Sequence, residues 1–121
     1  MKRKQNRKHS GIHKKHVNPE LREEALRPSR FLGFSHDRLG LYLLTREAYE
    51  IAESEFRRAI WLNPYEPSFP THLAWCLYKQ EKYKEAQEWI EKVLSVKPDH
   101  TEAQTLFTII TTHQDKELES P

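Results

Sequence analysis

Residues 39–64 read LGLYLLTREAYEIAESEFRRAIWLNP, and residues 73–98 read LAWCLYKQEKYKEAQEWIEKVLSVKP. The second stretch repeats the landmarks of the first in order, every one displaced by the same interval. Leu39-Gly40 returns as Leu73-Ala74, Tyr49 as Tyr83, Ala52 as Ala86, Phe56 as Ile90, Ala59 as Val93 and Pro64 as Pro98. A fixed period of about 34 residues marks stacked supersecondary units, each too small to bury its own apolar face. Inside the unit, apolar residues recur at helical spacing: Tyr49, Ala52, Phe56, Ala59 and Ile60 share one face. The expected fold class is all-α, with antiparallel helix-turn-helix repeats forming a short α-solenoid of about two units plus a capping helix.

Outward from these stretches the chain divides as follows. Residues 33–66 form the first unit and 67–100 the second. Ser35 is the expected N-cap of a helix over about 35–45, with Asp37 in its first turn and Leu39, Tyr42 and Leu43 as its buried stripe. A second helix, about 47–61, follows with no Gly or Pro between, and Asn63-Pro64 closes it. Pro67-Ser68-Phe69-Pro70 opens a third helix to about Gln80. Tyr83–Val96 is the fourth, with Ala86, Ile90, Val93 and Leu94 inward. Residues 101–116 form a C-terminal capping helix carrying Ala103, Leu106, Phe107 and Ile110, and 117–121 are a polar tail. On the other side, 18–32 read as a short lead-in helix and linker: Asn18-Pro19 is a helix start, Leu21, Ala25 and Leu26 share a face, and Pro28 ends it. Residues 1–17 are too polar to bury anything, and a disordered basic tail is expected.

Gly40 and Ala74 follow the seam leucines at the same place in each unit. A larger side chain there would push two closely approaching helices apart.

The bulk numbers exclude several functions. With three glycines in 121 residues, neither a glycine-rich phosphate loop nor an all-β fold of tight turns is supported. No run of about 18 apolar residues exists to span a membrane. The net charge of +2 hides an asymmetry: residues 1–18 carry Lys2, Arg3, Lys4, Arg7, Lys8, Lys14 and Lys15 with no acid, before an acidic remainder. These seven charges are possible phosphate contacts. The arm reads as a solubilising tail, as an attraction to nucleic acid or ribosomal phosphate, or as an attraction to an anionic membrane surface. No aromatic residue is interleaved with them, so base stacking is not supported. His9, His13 and His16 have helix-like spacing but no nearby carboxylate or thiol, so no metal is expected. Cys76 has no partner for an internal disulfide, which fits a cytoplasmic protein, and it reads as a small buried apolar residue. No catalytic constellation emerges; no enzyme activity and no cofactor are expected.

The repeated positions resemble tetratricopeptide repeats. In that family the helix pair has a Leu-small pair in its first helix, a Tyr opening the second, an Ala, an aromatic and another Ala along it, and a Pro beyond its end. Residues 33–66 carry this signature as Leu39, Gly40, Tyr49, Ala52, Phe56, Ala59 and Pro64. Residues 67–100 carry it as Leu73, Ala74, Tyr83, Ala86, Ile90, Val93 and Pro98. The aromatic of the early first helix is replaced by His36 and Pro70. Residues 101–116 match only loosely, through Phe107 and Thr108.

The resemblance implies a concave surface lined by the first helices: Phe34, Asp37, Leu41, Leu44 and Thr45; then Thr71, Trp75, Tyr78 and Lys79; then Thr105, Ile109, Thr112 and His113. In many co-chaperones of this family a clamp of Lys, Arg and Asn holds a terminal carboxylate. Here Asp37, Leu41, His72, Glu102 and Leu106 stand at those places, and the clamp is absent. The implied role is a protein-interaction adaptor or scaffold, taking an apolar peptide or helix in a groove centred on Leu41, Trp75 and Tyr78. The alternative occupants are the chain's own N-terminal helix or a second copy, and the alternative function is a nucleic-acid- or ribosome-associated protein using the arm. Trp61 and Trp89 are expected to pack against the capping helix or a turn. Around three repeats are normally needed for a continuous core. The segment 18–27 supplies one candidate layer, since Ala25 stands one period before Ala59, and self-association through an open end is the other.

Overall fold

The computed structural model describes residues 31–119. They form five helices: α1 Phe34–Thr45, α2 Tyr49–Leu62, α3 Ser68–Lys79, α4 Tyr83–Val96 and α5 Thr101–Glu119. No strand occurs among the described residues. Each helix packs on the next in sequence, giving the hairpins α1–α2 and α3–α4 and a single closing helix. The fold class is thus the short all-α repeat array expected from the period.

The two hairpin turns are the same device used twice. After α1, the amide of Glu47 donates to the Leu44 carbonyl at 3.0 Å and that of Ala48 to the Leu43 carbonyl at 2.9 Å. After α3, Glu81 donates to Tyr78 and Lys82 to Leu77, both at 2.9 Å. This paired pattern is the Schellman motif, whose turning residue sits in the left-handed region and is usually Gly. Here it is glutamate both times, Glu47 at φ 61° and Glu81 at φ 64°. The hydrogen bonds to otherwise orphaned carbonyls offset a conformational cost of about 1–2 kcal/mol per turn.

The core runs along the line where the hairpins stack. Ala52, Phe56, Leu73, Ala74, Cys76, Leu77, Ala86, Ile90, Ala103, Leu106 and Ile110 are fully buried, and Val93 nearly so. Gly40 is a forced choice in this packing: a Cβ there would stand 2.5 Å from Cε1 of the buried Phe56 ring.

The start of α1 departs from expectation. The helix begins at Phe34, and its N-cap is Gly33 at φ 91°, with no side-chain cap hydrogen bond; Ser35 lies inside the first turn and is exposed. Gly33 is held there by space as well as by φ: a Cβ would meet the Ala59 carbonyl oxygen at 2.8 Å and the Phe69 ring at 2.9 Å. The stripe of α1 is also corrected. Gly40 and Asp37 are buried, whereas Leu39 is 45% and Tyr42 59% exposed. These two face away from α2, on the side where no described helix precedes α1. Leu73, the same position one layer on, is fully buried because α1 and α2 lie in front of it.

The closing helix, whose pattern fades near 114–116, continues to Glu119. No Gly or Pro interrupts it, and the pair His113 Nε2–Glu117 Oε1 at 3.5 Å adds i,i+4 support.

Candidate functional site: the inner helix face

The first helices of the layers, α1, α3 and α5, pack side by side, whereas α2 and α4 make no packing contact with each other. An array that touches along one edge and splays along the other curves, with the touching edge inside. The inner surface is therefore made by α1, α3 and α5.

One side chain ties all three together. His72 on α3 places Nδ1 2.8 Å from Asp37 Oδ1 on α1 and Nε2 3.4 Å from Glu102 Oε1 on α5. A protonated imidazole donates from both nitrogens, so it satisfies both carboxylates at once. Burial pushes the imidazole down, but the hydrogen bond and charge of Asp37, followed by the charges of Glu102 and Glu66, outweigh it and hold His72 above its ordinary value. The proton is bound more tightly in the folded chain than in the unfolded one. Its stabilisation is complete below about pH 6.5 and fades as pH rises through the raised folded value. The melting temperature of the native chain should therefore exceed that of His72→Gln most at about pH 6, with the gap narrowing toward about pH 8.5. A gap that widens or stays constant over that range would show that the proton is not shared in this way.

Two groove candidates are taken out of reach by this packing. Asp37 is only 5% exposed and engaged by His72. Thr71 is fully buried, its hydroxyl donating to the Pro67 carbonyl at 2.8 Å.

The remaining candidates keep some exposure. Leu41 is 36% exposed, Leu44, Trp75, Tyr78, Ile109 and His113 are half-buried, and Lys79 is exposed. Trp75 and Tyr78 meet edge-on with ring centroids 6.1 Å apart. Tyr78 also packs edge-on against Tyr83, at 5.4 Å, and against His113, at 6.0 Å; His113 and Tyr83 lie 4.4 Å apart. The four rings make an aromatic ladder from α3 across α4 to α5. In the sequence Tyr83 stands out only as a repeat landmark; its stacking on His113 depends on where α5 crosses, which no local pattern encodes.

Cys76 is fully buried, and its thiol donates to the Tyr49 carbonyl at 3.1 Å. Burial and the charge of Glu53 push it up to about 11, against smaller opposing effects of Gln80, Lys82 and Arg57, so it is a protonated packing group near neutral pH. Glu53 itself, although burial raises it, is held low by Gln80, Arg57 and Lys82; with Gln80 at 2.9 Å and Lys82 at 3.5 Å it locks α2 to the second hairpin.

Trp89 is half-buried against the core, with Lys92 Nζ 4.7 Å above its ring. Trp61, expected to pack, is 81% exposed instead, beside His36, Arg58 and Leu62 in a shallow concavity. Among the described residues no group of three His, Cys, Asp or Glu is placed to hold a metal ion, and no helix is long and apolar enough to cross a membrane. The candidate phosphate contacts Lys2, Arg3, Lys4, Arg7, Lys8, Lys14 and Lys15, and His9, His13 and His16, lie outside the described residues.

The tetratricopeptide repeat family model matches residues 43–108, more than half of the chain. The chain belongs to the tetratricopeptide repeat family. Its match begins in α1, covers the second hairpin and ends within α5. A tetratricopeptide repeat-containing protein of Caenorhabditis elegans, trd-1, is 32% identical over 69 residues, which is 57% of this chain and 9% of that relative. The chain thus spans under a tenth of the length of the curated relative it matches. Tetratricopeptide repeats are a non-enzymatic repeat family that mediates protein–protein interaction; in this chain the side-by-side helices carry the His72–carboxylate bridge, with the aromatic ladder running from α3 across α4 to α5.

Proposed function

We propose that the protein is an interaction adaptor whose inner face holds an apolar peptide or helix of a partner protein, anchored on Leu41, Trp75 and Tyr78. The observation that carries this reading is the half-buried Trp75–Tyr78 pair on α3, the middle one of the three helices that pack side by side. Beneath it no buried side-chain nitrogen or oxygen lacks a partner among the described residues. A fully covered aromatic buries roughly 150–250 Å². Both residues are already mostly packed, so the area left for a partner is worth at most about 2 kcal/mol per ring.

Where a carboxylate clamp would need cations, Asp37 and Glu102 flank His72. Two carboxylates around one imidazole disfavour an anionic chain end, which argues for an internal apolar segment as the guest.

The test is capture of binding partners by the full chain, compared with Trp75→Ala/Tyr78→Ala and with Leu41→Asp. About a tenfold or greater loss of affinity is expected for each variant, with helicity by circular dichroism retained. Capture at native strength by a folded double variant would sink the groove. Sedimentation of the intact chain at rising concentration separates the other apolar guest, a second copy: association abolished by Leu41→Asp would place the dimer in the groove.

A further inference from the structure

The exposed face of α2 does not match that of α4. Ile51, Ser54, Arg58 and Trp61 lie at helical spacing along α2 and are all exposed, Ile51 by 58% and Trp61 by 81%. One period on, the same face of α4 carries Glu85, Glu88, Lys92 and Ser95, also exposed. The second set is an ordinary solvated helix face, so the hairpin fold requires no tryptophan at position 61. Nor does Trp61 repeat the role of Trp89, which stands one period after Glu55, is half-buried and has Lys92 over its ring.

Trp61 shares a concavity of about 410 Å³ with Arg58 and Leu62 of α2 and with His36 from the first turn of α1. That volume lies toward the lower end of the roughly 300–1,000 Å³ of ligand clefts. Two of its polar groups are vacant. Arg58 has no ion-pair partner among the described residues, whereas its neighbour Arg57 is paired with Glu53 at 2.9 Å. His36 has Nδ1 tied to Glu55 Oε1 at 2.8 Å, and no bond is made by its Nε2 among the described residues. Glu55 is the nearest acid, and it is already engaged by that ring.

We infer that this concavity is a second docking site, for an acidic linear segment of a partner protein in which a carboxylate stands beside an apolar side chain. The carboxylate meets the Arg58 guanidinium, whose fork matches it in geometry as well as charge. The apolar side chain covers the Trp61 indole and Leu62. Charge selects this occupant. A single-stranded nucleic acid could also stack on Trp61, but its row of phosphates calls for a row of cations. Glu50, Glu85, Glu88 and Glu91 are exposed along α2 and α4 instead. The site shares no residue with the groove of Leu41, Trp75 and Tyr78, so either can fail without the other.

The test follows the Trp61 indole N–H of the full chain by heteronuclear NMR, its signal identified by its loss in Trp61→Phe. The probe is the end-blocked peptide DELDE. A saturable shift with a Kd of about 1 mM or tighter is expected. Binding should weaken about tenfold or more for the neutral peptide NQLNQ, for DEGDE and for Arg58→Glu, and should be unchanged in Trp75→Ala/Tyr78→Ala. Arg58 is exposed, so its replacement leaves the core intact. The absence of a saturable shift overturns the proposal, as does one that survives Arg58→Glu. Tighter binding of octauridylate than of DELDE would assign the site to nucleic acid. An indole shift on dilution without peptide would assign it to a second copy. The same shift in Glu20→Gln/Glu23→Gln/Glu24→Gln would assign it to acids of this chain that lie outside the described residues.

Discussion

Phe56→Ala is expected to lower the unfolding free energy by about 3–5 kcal/mol, read from the urea midpoint by circular dichroism. The ring is fully buried, lies against the backbone of Gly40 and sits 5.9 Å from the His72 ring. Its removal opens a void between helices that cannot close without breaking the hairpin turn. A domain of this size holds only about 0.05–0.15 kcal/mol per residue, so most of the stability would be lost. The same contact makes a sharper test possible. The second hairpin fills these two positions with Ala74 and Ile90, both fully buried. Gly40→Ala alone drives a Cβ into the ring, whereas Gly40→Ala with Phe56→Ile reproduces the second hairpin's pair. The double variant should be more stable than the sum of the single changes implies, with a coupling of about 1 kcal/mol or more. Strict additivity would mean that residues 40 and 56 do not pack together.

Ala74→Leu is expected to cost about 1–3 kcal/mol or more by overpacking. Ala74 is fully buried in the core cluster on α3, which is covered on one side by the first hairpin and on the other by α4 and α5. Extra methylenes have no free volume to enter, and α3 cannot move outward without parting from a neighbour. Thermal melting decides the matter: an unchanged melting temperature would remove Ala74 from the seam. The contrast with His72→Gln is informative, because the cost of overpacking does not depend on pH and the loss of the shared proton does.

Much of the architecture was legible in the residues. The landmarks at Ala52, Phe56, Ala59, Leu73, Ala74, Ala86, Ile90 and Val93 are all buried, because periodic spacing selects a helix face whatever the partner is. Tyr83–Val96 begins and ends where its pattern does. The turns were not legible, since Glu47 and Glu81 occupy left-handed positions that a reader assigns to Gly; short-range hydrogen bonds to orphan carbonyls overrode the residue preference. The roles of Asp37 and Thr71 were misread for a different reason. Both sit at places that family geometry turns toward a ligand, yet Asp37 meets His72 from a distant part of the chain and Thr71 bonds the carbonyl one turn before it.

By itself, then, the sequence determined a helix pair of fixed period, its repetition and its inner landmarks. These are properties of spacing along one helix and of residue type at a repeated position, and both can be read without knowing the neighbours. Only the tertiary structure decided that Leu73 is core while Leu39 is half exposed, that His72 bridges three helices, and that Tyr78 is braced by Tyr83 and His113. Equivalent positions carry the same periodic signal in every layer, but burial depends on which helix lies across from them. At the end of an array that neighbour changes, and with it the meaning of the residue.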